Sequence, residues 1–136
     1  MTPAPDTTVP LWLDLDGTHN VRDVGGLRAS TGTVRPGVLL RGDHLENLTP
    51  TAADHLCDVV GLRSVVDLRD PTEDPTAGTW MHGRLVERLH LPLVDLTRSA
   101  EALQPGVELD MVEIYRAMLD ECGPVLAEIL RFVEGR

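Results

Sequence analysis

The sequence predicts an α/β fold, and three observations point to it. Short apolar runs bounded by Gly, Pro and Asp read as strands. Longer segments of helical periodicity follow those runs. The chain has 136 residues, 42% of them hydrophobic, which is the size of one domain with material for a core.

Residues 1–11, rich in Pro and Thr, are expected to form a loose arm. Gly25-Gly26 and Thr31-Gly32 mark turns around a hairpin from Leu27 to Val34. Val38 to Arg41 lies between Pro36-Gly37 and Gly42-Asp43 and reads as a strand. Thr49-Pro50 is a hydroxyl cap followed by proline at the first helical position, so a helix should start there and run to about Val60. Gly61 is its natural stop. Ser64 to Leu68 is a buried strand broken by Asp70-Pro71, and Leu85 to Leu91 is another, ended by Pro92. A loop from about Val94 to Gly106 precedes helices over Leu109–Asp120 and Gly123–Val133.

Charge and cysteine usage narrow the partners. A net charge of −10 disfavours nucleic acid and anionic membrane surfaces, both of which select a basic face. No apolar stretch approaches membrane-spanning length. Two cysteines without metal-like spacing, and an N-terminus without the features of a signal peptide, predict a cytoplasmic protein with no metal or cofactor. All twelve basic residues are Arg, which suits bidentate contacts to carboxylate or phosphate.

Two motifs imitate phosphatase chemistry. Asp14-Leu15-Asp16-Gly17-Thr18 resembles the Asp-x-Asp-Gly-Thr motif of haloacid-dehalogenase-type phosphatases, which would make Asp14 a nucleophile and Asp16 an acid/base beside Mg²⁺. Pro10 leaves too few residues before Asp14 for a central strand, so a surface turn is the better reading. Cys57 and Arg63 satisfy Cys-x5-Arg, the spacing of cysteine phosphatases. However, Cys57 falls near the carboxyl end of the predicted helix, where the dipole disfavours a thiolate. It reads as a core thiol, Cys122 as a structural one, and the five histidines as non-catalytic.

Five segments in order carry a broader resemblance: Leu15 to Leu27, Arg35 to Leu45, Leu48-Thr49 with Gly61 to Arg69, Leu91 to Leu96, and Ile114-Tyr115-Arg116. Together they resemble the bacterial tyrosine/serine protein phosphatases, the group that includes a secreted mycobacterial tyrosine and lipid phosphatase. The resemblance implies a cysteine-phosphatase-like central sheet flanked by helices. It also implies metal-free hydrolysis of a phosphomonoester through a cysteinyl-phosphate, on a phosphorylated protein or small phosphomonoester.

In that family a His-Cys-x-x-Gly-Lys-Asp-Arg loop carries the nucleophile. None of its residues matches here, so residues 12–136 are expected to be the N-terminal portion of one domain, truncated before the catalytic strand-loop-helix and inactive alone. The resemblance assigns supporting places near the pocket to Asp95, Arg22, Asp23, Arg41, Asp67 and Arg69. Asp67 and Arg69, on one strand, are alternatively a plain ion pair. A non-enzymatic, degenerate binding module is the remaining alternative. An uncovered sheet face would also favour self-association.

Overall fold

A computed structural model describes residues 11–73, 81–93 and 110–135. The chain divides into two compact units, Met1–Arg63 with Thr76–Leu85, and Ser64–Pro75 with Val86–Arg136.

In the first unit, β1 (Leu11–Trp12), β2 (Arg22–Asp23) and β5 (Leu40–Arg41) form an antiparallel sheet in the order β1-β2-β5. The predicted hairpin is present as β3 (Arg28–Ala29) and β4 (Gly32–Thr33). The strand expected over Val38–Arg41 shortens to β5, and Val38 and Leu39 are exposed.

The helix starts where its cap requires. Thr49 Oγ1 accepts from the Ala52 amide at 3.3 Å, and Pro50 opens α1 (Pro50–Asp54). Gly61 ends the helical segment in the left-handed region at φ 85°. The predicted ends are therefore right, but the second half, His55–Val60, is a π-helix. There the Leu56 carbonyl accepts from both Gly61 and Leu62. Such wide turns are rare, and residue propensities do not announce them.

Ala52, Ala53, Leu56 and Cys57 of this segment are buried, as are Leu15, Val21, Val24, Leu48 and Met81. Removing this apolar surface from water is what holds the unit together.

The second unit carries the α/β signature. β6 (Ser64–Asp67) and β7 (Glu87–His90) pair in parallel, Ser64 opposite Glu87 and Asp67 opposite His90. The pairing continues past β7, with the Leu91 amide donating to the Asp67 carbonyl and that of Leu93 to Leu68. A 3-10 turn (Pro71–Glu73) follows the Asp70-Pro71 break. β7 is shorter than the predicted Leu85–Leu91, and Leu85 is fully exposed. Both strands are half-buried rather than buried. α2 (Met111–Glu121) is capped by Asp110, whose side chain accepts from the Val112 amide at 2.9 Å. α3 (Gly123–Glu134) starts with proline in its first turn. Parallel strands and these helices bear out the α/β class.

Candidate functional site

In open α/β sheets ligands bind beyond the carboxyl ends of parallel strands, so the ends of β6 and β7 are the place to look. Asp67 closes β6, and its carboxylate is saturated. Its Oδ1 accepts from the Arg69 amide at 3.1 Å and Arg69 Nε at 3.0 Å; Oδ2 accepts from Arg69 Nη2 at 2.9 Å and Arg88 Nη2 at 2.8 Å.

Arg69 thus presents the two-pronged fork that guanidinium geometry offers a carboxylate. Arg69's hydrogen bonds, partly opposed by burial and helped by Arg88, hold the Asp67 carboxyl well below the usual carboxylate range. His90, opposite Asp67 in the register, donates from Nε2 to the Arg69 carbonyl at 2.9 Å. The turn after β6 is pinned by Asp70, buried and accepting from the Thr72 amide at 2.8 Å and from its hydroxyl.

The ion pair anticipated for Asp67 and Arg69 is present, Arg88 joins it, and His90 holds the Arg69 carbonyl beside it. Arg88 and His90 escape sequence reasoning because only the parallel register brings them to Asp67. The available signal was alternation in Glu87-Arg88-Leu89-His90, and alternation names no partner. Saturated in this way, Asp67 can fix the strand ends but is poorly placed to take up a proton.

Arg22, Asp23 and Arg41 lie in the first unit, on β2 and β5. Asp23 is buried and accepts from the Gly25 amide at 2.8 Å and that of Gly37 at 2.6 Å, so it ties together the two ends of the hairpin region. Arg22 lies over the Trp12 ring, 4.0 Å from its centroid. Asp95 lies outside the described residues.

The imitating motifs have local roles. Asp14 and Asp16 are exposed, and Thr18 donates from both amide and hydroxyl to the Leu15 carbonyl at 3.0 Å, a turn. Gly17, at φ 89°, lies so near Asn47 that an added Cβ would sit 1.8 Å from its carbonyl oxygen. Glycine in this motif therefore serves close backbone approach. Among the described residues, no cluster of three or more His, Cys, Asp or Glu could hold a metal.

Cys57 lines an open recess of about 290 Å³ with Asp58, Leu62, Arg63, Arg84 and Leu85. Burial raises its thiol pKa and Asp58 adds to this, against the opposing pull of Arg84 and Arg63. Arg63 Nη1 donates to the Cys57 carbonyl at 3.2 Å, at the end of the helical segment, and to the Leu62 carbonyl at 3.1 Å just beyond it. Arg84 is engaged by Asp54 and Asp58. Cys122 Sγ contacts the Leu93 carbonyl at 2.9 Å, a packing role. Among the described residues no helix is long and apolar enough to cross a membrane.

The family model described as "Tyrosine phosphatase family" matches residues 13–135. Neither the curated proteins nor the solved structures give a match.

Proposed function

From the premise that the chain belongs to the tyrosine phosphatase family, we propose that it serves a cysteine-dependent hydrolysis of phosphomonoesters. In this reading these 136 residues supply scaffold and pocket support, and the nucleophilic loop comes from outside them.

The observation that carries the proposal is the state of Cys57. Its thiol is buried in a π-helix with a raised pKa, and Arg63 is committed to backbone carbonyls. A working site needs a thiolate ringed by amides at a helix N-terminus, with an arginine gripping the phosphate. The thiolate attacks phosphorus, the leaving oxygen takes a proton, and water then cleaves the S–P bond to release phosphate. No metal or cofactor enters this scheme.

Asp67 and Arg69 support the reading by fixing the ends of the parallel strands, where such a loop belongs. Asp95, Arg22, Asp23 and Arg41 are the further supporting residues the reading assigns. The substrate class is a phosphorylated protein or small phosphomonoester, in the cytoplasm of a bacterium. Exposed Val112, Tyr115 and Leu119 on α2 favour self-association.

The test is hydrolysis of an aryl phosphate by the 136-residue chain. No turnover is expected. Turnover abolished by Cys57→Ser would overturn the proposal, and turnover that needs Mg²⁺ and Asp14 would favour the aspartate-based chemistry. Phosphotyrosine binding without turnover would identify a binding module.

A further inference from the structure

The three-stranded sheet of the first unit brings like charges together. Trp12 pairs with Arg22 across β1 and β2, and Arg22 pairs with Arg41 across β2 and β5. Residues directly opposed on antiparallel strands project to the same face, so Trp12, Arg22 and Arg41 form one row. Two cations at directly opposed positions repel.

Among the described residues, neither Arg22 nor Arg41 makes an ion pair with an acidic side chain, in a chain with 22 acidic residues. The acidic residues nearest in sequence are engaged elsewhere. Asp23 holds the Gly25 and Gly37 amides, and Asp43 holds those of His19 and Asn20. In addition, Arg22 Nε is buried without a hydrogen-bond partner. A buried, charged donor left unpaired is costly and calls for an explanation.

We propose that this row, Trp12-Arg22-Arg41, is a binding site for a phosphate group. A tetrahedral dianion between the guanidinium groups would cancel their repulsion and accept from both. The Arg22 guanidinium carbon lies over the Trp12 ring, 4.0 Å from its centroid, a cation–π contact that restrains the guanidinium without using any of its N–H donors. The partly exposed indole also offers an apolar flank to an organic substituent on the phosphate. The inference rests on register and charge, not on the phosphatase reading, and would hold for a chain without catalysis.

The experiment follows the arginine Nε–H signals of the full 136-residue chain by NMR while inorganic phosphate, then phenyl phosphate, is added at constant ionic strength. The Arg22 and Arg41 signals are expected to move along one saturable curve. Equal affinities for the two probes indicate free phosphate as the ligand, and tighter binding of phenyl phosphate indicates a phosphomonoester.

Arg41→Gln should weaken binding about tenfold and, by removing the repulsion, raise the melting temperature of the ligand-free chain. Arg22→Lys, which keeps charge but loses the planar fork, should weaken binding in the same direction. Static signals, or an affinity unchanged in both variants, would overturn the inference. Binding lost in Arg69→Gln but kept in Arg41→Gln would also overturn it, while leaving the proposed function standing.

Discussion

In the first unit Leu15, Val21, Leu48, Ala53 and Leu56 are almost wholly removed from water, whereas in the second the described side chain most shielded is Asp70. There the ends of the parallel strands are locked by Asp67 between Arg69 and Arg88. Apolar burial is non-directional and tolerates imprecise geometry. A shielded carboxylate does not: its desolvation is offset only while its donors stay in place. The second unit therefore spends its most demanding interaction at the strand ends, which is where an α/β fold puts a ligand.

The first unit contains an inverted version of that cluster. Arg84 lies between Asp54 and Asp58, one cation with two anions, while Asp67 is one anion with two cations. The Asp54 and Asp58 side chains are 59% exposed and that of Asp67 is 9% exposed. Water screens the first cluster and not the second, so similar drawings conceal different consequences.

The contrast can be broken most forcefully through the apolar core. Leu56→Ala removes a fully buried side chain and should cost about 3 kcal/mol, read as a lower urea midpoint. Asp67→Asn should cost about 2–3 kcal/mol, because two arginines lose their charged acceptor; a change within error would mean the cluster is incidental.

The pH dependence of that second variant sharpens the point. The folded pKa of Asp67 is depressed, so its stabilisation is fully present above the unfolded value near ~4 and is lost as pH falls through the folded value. The gap in urea midpoint between the native chain and Asp67→Asn should therefore narrow below about pH 4. Asp43 titrates in the same sense: burial pushes its carboxyl up, but amide donation from His19, Asp43 itself and Asn20, helped by His44, together holds it below its ordinary value.

Thr49→Ala should cost about 1 kcal/mol through the lost cap. Arg84→Gln should have the smallest effect, one that disappears with added salt. A large, salt-insensitive loss in that variant would overturn the distinction between the screened and shielded clusters.

Local chemistry was legible in the sequence. Thr49-Pro50 and Gly61 set the helix ends, Gly25-Gly26 and Thr31-Gly32 the hairpin, and the Asp70-Pro71 break the end of β6. Each is a backbone effect of one or two neighbouring residues, so no distant partner is needed. The family was also legible, from five segments in order, and the match over residues 13–135 agrees.

Tertiary structure alone decided the pairings. The parallel register brought Arg88 and His90 to Asp67, the antiparallel register put Arg22 opposite Arg41, and the approach of Asn47 gave Gly17 its purpose. Alternation specifies which face a residue occupies but not which residue faces it across the gap. That choice depends on the sliding register of two strands and on backbone proximity, which arise only once the chain has closed on itself.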